Sequence, residues 1–571
     1  MSSTKSSLPA TPSPARSQHR WGDWRHLVLA ALICTMVVLV VHAELWEQPL
    51  SSRPVGKFHD GHIWCLRQMA RSMVGLEPVG LVTQDIGWPA GAQVRFIAWG
   101  AALVAAPFQW LGAVGAYNLS LLGGPVLSVL TFGLLFRRLG ANTSVAAASA
   151  LVAVVSPYLL SCMANGQIAK VHLWVFALWG LAALGYARGR RVGLWLLCCG
   201  LATALVGFTT PSQALFLPLV LVAILPELRR HPGGFSGALP RYLGLVLVTG
   251  VVLAACGAVY AFDGSGDVPE AFSAAGRGPN ASMMAEELGA LVVPFHIRRR
   301  VLGGAAGIPH LVSLPWAAIV GGALGVWARP RWLRGTLLML VLSVLVVVGF
   351  WPSVSAGQAG GTPVTLWLME RGIPGLALYR AVFLVPVALA VLLAMGASRW
   401  RGGAVLAWFL ALAVVGETLI THRWVWPLSA APVPGYEILK GIADDPSSGA
   451  VLVLPLDSRD RAGQRAMLLA AVHGRATNGV PRRLDRKLPA HQRLRSLAVQ
   501  LEATTAAELP RRLADEGVAW VLWHELPTEG QNRSPWFMRG PRPPALTEAL
   551  GEPLGDAELR AWRVGEQPGG E

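Results

Sequence analysis

Long runs of apolar residues recur along almost the whole of this 571-residue chain. Two clear examples are residues 27–43 and 337–350, and short connections rich in Arg, or in Pro and Gly, separate such runs. A helix needs about 20 apolar residues to cross the hydrocarbon core of a bilayer. Because 53% of the residues are hydrophobic and only 14% are charged, lipid is the main solvent of the chain. The sequence therefore predicts an all-α polytopic membrane domain over residues 26–425.

About eleven transmembrane helices are predicted in that domain. The first, residues 27–43, lacks a small-residue cleavage site and is predicted to be a retained helix. The residues before it, 1–25, are rich in Ser, Pro and Thr and are predicted to form a disordered cytoplasmic tail. The other predicted spans are Tyr117–Phe136, Ser144–Ser161, Val171–Ala187, Val192–Phe208, Gln213–Leu225, Tyr242–Phe262, Leu311–Trp327, Leu337–Phe350, Leu376–Met395 and Ala404–Ile420.

The charges at the ends of these spans predict their orientation. Residues 96–111 are apolar but contain Pro107 and Gln109, so this segment could span, re-enter or lie in the interface. If it does not span, five Arg clusters fall on the side of the basic N-terminal tail, as the positive-inside bias requires. We therefore predict a re-entrant or interfacial segment at 96–111, a cytoplasmic N-terminus and a first extracytoplasmic loop at 44–95. The protein is expected in the cytoplasmic membrane.

From residue 430 onward the composition becomes that of a soluble protein. Short apolar strands are predicted at Val451–Leu456 and Val518–Trp523. Residues 497–513 between them have helical character, which Pro510 is expected to interrupt. We predict a small soluble α/β domain over residues 430–571, tethered on the extracytoplasmic side.

Several functional classes find no support in the sequence. The net charge of +16 comes from Arg groups at the ends of apolar runs and not from one basic face, so no nucleic-acid partner is predicted. The six Cys residues are scattered without the spacing of a zinc site. Walker, dinucleotide-binding and nucleophile-elbow motifs are absent. Carboxylates inside the predicted spans are nearly absent, Glu417 being the exception, which disfavours an ion-coupled transporter.

The first loop carries the acidic residues that are the best candidates for catalysis. His59, Asp60 and His62 lie within four residues, and Asp85 follows later in the same loop. A carboxylate can coordinate a hard cation or accept a proton from a hydroxyl, so Asp60 and Asp85 are the candidate catalytic residues. His59 and His62 are candidates for substrate binding. The alternative for these four residues is an ordinary solvated loop.

A short turn between two predicted spans adds polar groups on the same side. Gln167, Lys170 and His172 could bind hydroxyl or phosphate groups, although interfacial snorkelling by Lys170 is an equal alternative. Arg380 begins a long apolar segment on that side, and Arg371 precedes it. An Arg at a membrane interface suits the phosphate of a lipid-linked substrate, or else anchors a lipid headgroup.

Several short motifs resemble those of a known superfamily, the GT-C polytopic membrane glycosyltransferases, and within it bacterial membrane proteins of the YfhO-like kind. The resemblance covers the plan of the whole chain. The motifs that carry it are the acidic first loop with Asp60, Trp88–Gly91 ahead of Gly115–Leu119, Ser156–Tyr158 followed by Gly166–Gln167, Tyr379–Arg380, the strand Val451–Leu456 and the segment His473–Gly479.

The resemblance implies transfer of a sugar from a polyprenyl-phosphate-linked donor to an extracytoplasmic glycan, lipid or protein acceptor. It implies a first-loop carboxylate acting as base or metal ligand, so a divalent cation is the one candidate cofactor. Asp60 matches that carboxylate best and Asp85 second. GT-C enzymes often carry two adjacent acidic residues here, whereas His59 and Gly61 flank Asp60.

Two other functions remain open at the level of the sequence. A transporter or flippase of lipid-linked glycans would need polar residues at the middle of the membrane or inverted internal repeats, and neither is evident. A non-catalytic membrane scaffold would use the C-terminal domain to bind envelope partners. Whether Asp60, Lys170 and Arg380 converge on one groove is the observation that would separate these hypotheses.

Overall fold

The computed structural model is mostly helical. It describes residues 24–56, 59–75, 82–83, 85–86, 92–93, 98–188, 191–228, 234–261, 314–328, 333–348, 383–425, 429–454, 460–478, 496–497, 499–524, 542–556 and 558–565. Arg371 and Arg380 lie outside the described residues, as does the Trp88–Gly91 motif.

The membrane domain consists of helices and the short strands of its first loop. The helices up to the first loop and within it are α1 (Trp24–Val41), α2 (Ala43–Glu47) and α3 (His59–Gly75), and the loop strands are β1 (Ser52–Pro54), β2 (Val82–Thr83) and β3 (Ala92–Gln93). The following helices are α4 (Trp99–Ala105), a 3-10 helix (Ala106–Leu111), α5 (Gly112–Leu139), α6 (Thr143–Val154), α7 (Pro157–Ala164), α8 (Ile168–Val171), α9 (Trp174–Ala187), α10 (Val192–Thr209), α11 (Pro211–Ala214), α12 (Leu217–Leu228), α13 (Gly234–Ala261), α14 (Trp316–Trp327), α15 (Leu333–Val348), α16 (Leu384–Ala397) and α17 (Gly403–Val425).

The elements after the last of these helices are shorter and mixed. They are β4 (Ala430–Pro432), α18 (Tyr436–Asp444), β5 (Ala450–Leu454), α19 (Asp460–His473), α20 (Leu509–Asp515), β6 (Val518–His524), α21 (Pro543–Leu550), β7 (Leu554–Gly555) and β8 (Leu559–Arg563). Pro510 lies in the first turn of α20, where its missing N–H costs nothing, so it begins this helix and does not interrupt one.

Five of the described helical segments are long and apolar enough to cross a membrane. A sixth is obtained if α6 and α7, which meet at a bend of 47°, count as one span. Helices α9, α14, α15 and α16 are apolar but shorter. Every predicted span overlaps a described helix, which confirms a helical multi-pass membrane domain, while the number of eleven spans stays a prediction.

Helix α4 and the start of α5 lie side by side and are joined by the 3-10 helix. The Ser120 hydroxyl of α5 donates a 2.8 Å hydrogen bond to the Ala101 carbonyl of α4. Three residues further along each helix, a Cβ added at Gly123 would lie 2.8 Å from Val104 Cγ1, so the two positions are neighbours. Because both contact positions advance together, α4 runs parallel to the start of α5, and the 3-10 helix returns the chain to that start. Whether residues 96–111 re-enter the membrane or lie in its interface stays a prediction.

Glu417 of α17 caps the N-terminus of α14. Its two carboxylate oxygens accept hydrogen bonds from the backbone N–H groups of Trp316, at 2.6 Å, and Ala317, at 3.0 Å. The first N–H groups of a helix have no partner inside the helix, and a negative charge at that end is favoured by the helix dipole. The carboxylate that stood out in the predicted spans therefore has a structural role.

We expect Glu417→Ala to lower the free energy of unfolding by about 1–2 kcal/mol, because two amides at the start of α14 lose their acceptor. The measurement is the thermal midpoint of the detergent-solubilised protein. Glu437→Ala is the matched control, since the Glu437 side chain is 83% exposed and should leave the midpoint unchanged. Equal midpoints for the two variants would contradict the capping role.

The C-terminal region contains a four-stranded mixed sheet of order β5-β6-β8-β7. Strands β5 and β6 are parallel, and β8 is antiparallel to both β6 and β7. Successive side chains of a strand point to opposite faces. Val451 and Val453 accordingly pack into the core that continues to the membrane helices, whereas Leu452 and Leu454 pack with Trp562 in a second core. The predicted small C-terminal sheet is confirmed.

The first loop is joined directly to the C-terminal region. Strands β1 and β4 pair antiparallel, with Arg53 opposite Ala431. Helix α3 packs against α19, and the Arg67 guanidinium donates a 3.1 Å hydrogen bond to the Ala470 carbonyl. We call these paired segments, Ser52–Pro54 and His59–Gly75 with Ala430–Pro432 and Asp460–His473, the junction. The division at residues 425–430 is a proposal, since the two regions share a sheet and a core.

Candidate functional site

Helix α3 places Asp60 in its first turn. Its buried side chains include His59, Ile63, Leu66 and Ala70, whose spacing of three and four residues forms one helical face. Helix α3 packs against α5 and α19, and an acidic residue in its first turn is stabilised by the helix dipole. The Asp60 side chain is 13% exposed.

Two arginines hold the Asp60 carboxylate, one from each side of the junction. Arg53 Nη1 lies 2.9 Å from Asp60 Oδ1, and Arg465 Nε of α19 donates to Asp60 Oδ2 at 3.1 Å. Arg53 is itself 5% exposed. Burial lowers the pKa of Arg53, and the Asp60 carboxylate partly opposes this effect. Each carboxylate oxygen thus has a guanidinium partner, and Oδ1 is a buried atom whose contact with Arg53 is an ion pair without a hydrogen bond.

His59 is fully buried between α3 and α5. Its Nδ1 lies 2.7 Å from the hydroxyl of Tyr117, and the two rings meet edge to face. Burial lowers the pKa of His59 well below its usual range, and the nearby positive fields of His42, Arg53 and His62 add to this. His59 is therefore a neutral hydrogen-bonding group. His62, half-buried three residues later in α3, lies on the same helix.

The turn between α7 and α9 meets α3 at His59. Gly166 has a positive φ of 70°, and a Cβ there would lie 2.6 Å from the backbone N of His59, so only glycine allows this approach. Gln167 follows Gly166, and its Oε1 accepts a 2.6 Å hydrogen bond from the Lys170 ammonium. Lys170 is only 9% exposed. The structure thus brings the first loop and this turn together, as the sequence predicted for one side of the membrane.

His172 is engaged through both ring nitrogens. Trp174 Nε1 donates to His172 Nδ1 at 3.0 Å, so the ring proton is on Nε2, which lies 3.2 Å from the Ser120 hydroxyl. Ser120 in turn donates to the Ala101 carbonyl. This chain of hydrogen bonds ties α9, α5 and α4 together and gives His172 a structural explanation; its predicted role in substrate binding stays a prediction.

Asp85 lies apart from the Asp60 carboxylate cluster. The Gln68 amide donates to Asp85 Oδ2 at 3.0 Å, and the Asp85 carbonyl accepts from Thr477 N at 3.0 Å. The Asp85 side chain is exposed to solvent and contacts α3 through Gln68. Arg380 lies outside the described part of the chain, so its predicted convergence with Asp60 stays a prediction.

The surroundings of Asp60 do not suit a divalent cation. Among the described residues there is no group of three His, Cys, Asp or Glu side chains that could hold a metal ion. A cation bound at roughly 2.3 Å from either Asp60 oxygen would lie on the order of 5 Å from the guanidinium already there. Their repulsion is about 6 kcal/mol at an effective dielectric constant near 20.

His473, at the end of α19, stabilises the same side of the junction in its neutral form. Its Nδ1 accepts a 3.1 Å hydrogen bond from the Arg475 N–H. Burial, together with the charges of Arg67 and Arg475, lowers the pKa of His473 to about 3. Arg475 itself binds the Asp445 segment, donating to the Ser447 carbonyl at 2.6 Å. Hydrogen bonds from Ser447, together with that from Trp520, hold the pKa of Asp445 at about 2.

We expect acid to destabilise the protein through His473 between pH 6.5 and about 3. Above pH 6.5 the ring is neutral in both states, whereas below it only the unfolded state takes up the proton until the folded pKa of about 3 is reached. Stability should fall by up to about 1.4 kcal/mol per pH unit in that window. Thermal midpoints measured from pH 7 to pH 5 should decline less steeply for His473→Asn than for wild type. Identical slopes would contradict this assignment.

The sequence did not point to the partners of the predicted residues. Arg53 and Arg465 were not singled out, because neither belongs to a local motif and Arg465 is 405 residues from Asp60. Tyr117 lies in the Gly115–Leu119 motif but was not assigned a role there. The available signal for Arg53 is its place beside the predicted acidic loop; Arg465 has no comparable signal.

These features define a multi-pass membrane protein whose first loop and C-terminal α/β region together enclose one carboxylate. No protein-family model matches the chain, and no curated protein matches it.

Solved structures of an archaeal oligosaccharyltransferase show a distant similarity. The apo form from Archaeoglobus fulgidus is 13% identical, covers 88% of this chain and 70% of its own, and gives a TM-score of 0.43. The complex of that protein with Zn and sulfate is 14% identical, with coverages of 87% and 68% and a TM-score of 0.46. AglB of the same organism, in complex with an inhibitory peptide and a dolichol-phosphate, is 13% identical, with coverages of 88% of this chain and 70% of its own and a TM-score of 0.42. Because each TM-score is below 0.5, we draw no conclusion about this chain from them.

Proposed function

We propose that this protein is a membrane glycosyltransferase of the GT-C type. It transfers a sugar from a polyprenyl-phosphate-linked donor to an extracytoplasmic glycan, lipid or protein acceptor. The short motifs that resemble this superfamily support the proposal from the sequence. The observation that carries it is the placement of Asp60, a nearly buried carboxylate held by Arg53 and Arg465 where the membrane helices meet the C-terminal region.

In this proposal Asp60 is the general base. The acceptor hydroxyl donates a hydrogen bond to a free lone pair of the Asp60 carboxylate and loses its proton as its oxygen attacks the anomeric carbon of the donor sugar. The bond from that carbon to the donor phosphate breaks, and the phosphate leaves with its electron pair. The fixed geometry of the carboxylate supports the reaction because no reorganisation is needed when the acceptor arrives.

The charge that develops on the leaving phosphate needs nearby cations. Among the described residues, Lys170 is the cation assigned to this phosphate; it lies in the turn that meets α3 and is hydrogen-bonded to Gln167. Arg371 and Arg380 are assigned the same role on their sequence positions alone. His59 and His62 are assigned to acceptor binding, with neutral His59 oriented by Tyr117.

A non-catalytic scaffold is the second candidate function. It is favoured by the same two ion pairs, because Asp60 joins Arg53 of the first loop to Arg465 of α19 and so contributes to the docking of the C-terminal region. In that case the carboxylate would serve stability and not proton transfer. The test below separates the two functions.

Transport of lipid-linked glycans finds less support. Glu417, the carboxylate inside the spans predicted from the sequence, accepts hydrogen bonds from the amides of Trp316 and Ala317, so it is committed to capping a helix. A coupled transporter needs an ionisable group that can exchange its partner during the cycle.

Asp60→Asn should reduce sugar transfer by about 10²–10⁴-fold, because an amide cannot take the proton of the acceptor. Membrane vesicles containing the protein are incubated with a panel of polyprenyl-phosphate-linked sugars, and transfer of labelled sugar to endogenous acceptors is counted. Membrane levels of the protein should be normal.

Glu47→Gln is the matched control, since Glu47 is an exposed carboxylate of the same loop without an assigned role and should retain transfer. Retained transfer by Asp60→Asn, with wild type active, would overturn the role of Asp60. The scaffold would be favoured by two results together. Wild type would transfer sugar from no donor of the panel, and Asp60→Asn would reach normal membrane levels but lose docking of the C-terminal region.

We also propose that the C-terminal region lies outside the cytoplasmic membrane and the N-terminus inside. Alkaline phosphatase fused after residue 571 should be active in whole cells, whereas the same enzyme fused after Leu139, next to Arg137 and Arg138, should be inactive. Phosphatase activity per amount of fusion protein is the measurement. The opposite pattern would reverse the orientation.

A further inference from the structure

We infer that the Asp60 site works with guanidinium groups in place of a divalent cation, and that Arg465 of the C-terminal region is the positioning residue that completes it. This inference rests on the proposed function and concerns the same site. It assigns a role to two residues, Arg53 and Arg465, that no sequence motif marks.

The first step is the occupancy of the carboxylate. Oδ1 of Asp60 lies 2.9 Å from Arg53 and Oδ2 lies 3.1 Å from Arg465, so both oxygens already face a full positive charge. A divalent cation would have to displace at least one of these groups. The Arg53 side chain cannot swing out into water at low cost, because it is only 6% exposed and its backbone is fixed in the β1–β4 pair.

The second step is the chemical equivalence of the two arrangements. A metal ion at a transferase site holds a carboxylate in place and supplies positive charge near the bond that breaks. A guanidinium remains protonated at all ordinary pH values and binds oxyanions in a fixed planar geometry. At Asp60 one guanidinium faces each oxygen, Arg465 through a hydrogen bond and Arg53 as an ion pair, so two positive charges lie beside the carboxylate without a metal ion.

The third step is the origin of Arg465. It belongs to α19, and that helix is held on α3 by the hydrogen bond from Arg67 to the Ala470 carbonyl. Nearby, Thr477 N donates to the Asp85 carbonyl of the first loop. Arg465 therefore reaches Asp60 only when the C-terminal region is docked at the junction, so docking and assembly of the site are a single event.

The metal half of the inference is tested on the purified full-length protein with Mn²⁺ as the probe. Binding of Mn²⁺ is followed by electron paramagnetic resonance for wild type and for Asp60→Asn. We expect the two titrations to coincide, and sugar transfer by wild type to be unchanged after treatment with EDTA. A Mn²⁺ site that is present in wild type and lost in Asp60→Asn would overturn the inference.

The positioning half is tested with substitutions at Arg465. Arg465→Gln should lower kcat for sugar transfer at least tenfold with a smaller change in KM, and Arg465→Lys, which keeps the charge, should recover most of the loss. Lys440→Gln is the control, because Lys440 is a half-exposed cation of the same region away from Asp60. Undiminished transfer by Arg465→Gln would overturn the assignment, and so would equal losses in the Gln and Lys variants.

The two levels of the proposal fail in different ways. If wild type itself transfers no sugar from any donor of the panel, the proposed function is wrong, and the Mn²⁺ titrations still decide whether Asp60 holds a metal. If wild type is active and Mn²⁺ binding depends on Asp60, the glycosyltransferase stands and the guanidinium site is wrong.

Discussion

A helix end that lies in apolar surroundings must find partners for its backbone groups without the help of water. Polar side chains are scarce in this chain, and several of them serve this need. Glu417 accepts from two amides at the start of α14, and the Thr209 hydroxyl accepts from Gly100 N at the start of α4. Ser156 caps α7 by accepting from Leu159 N. At these three interruptions of the helical domain, a polar side chain supplies the partner that the first backbone amides of the helix lack.

The same rule leads from the membrane helices to the candidate site. Asn118 of α5 donates to the carbonyls of Pro49 and Ser52, at 2.7 and 2.8 Å, and so fixes the start of β1. Strand β1 carries Arg53, and Arg53 holds Asp60. One residue before Asn118, Tyr117 holds His59. A single turn of α5 thus positions both sides of the first turn of α3, and the candidate chemistry depends on a helix that contributes no catalytic group.

The sequence was most informative where structure depends on local pattern. Apolar runs predicted the helices, and short β-branched and Leu-rich runs predicted β5 and β6 within a residue or two of their bounds. The choice of Asp60 also came from the sequence, since a carboxylate in a large loop stands out from an apolar chain. The sequence could not show which residues contact Asp60, because Arg465 approaches Asp60 only through the packing of α3 on α19. For the same reason the sequence did not reveal that the two ring nitrogens of His172 contact Trp174 and Ser120; its role in substrate binding stays a prediction.

The pairing of β1 with β4 also has a consequence for the order in which the protein is made. Arg53 lies opposite Ala431, so about 380 residues of chain must follow β1 before its partner strand exists. At a synthesis rate of about 5–20 residues per second, this delay is on the order of 20–75 s. During that time the edge of β1 has no partner, and the carboxylate of Asp60 has only one of its two arginines. The nascent first loop therefore has to wait, with its acidic residue incompletely neutralised, until the last membrane helix has been inserted.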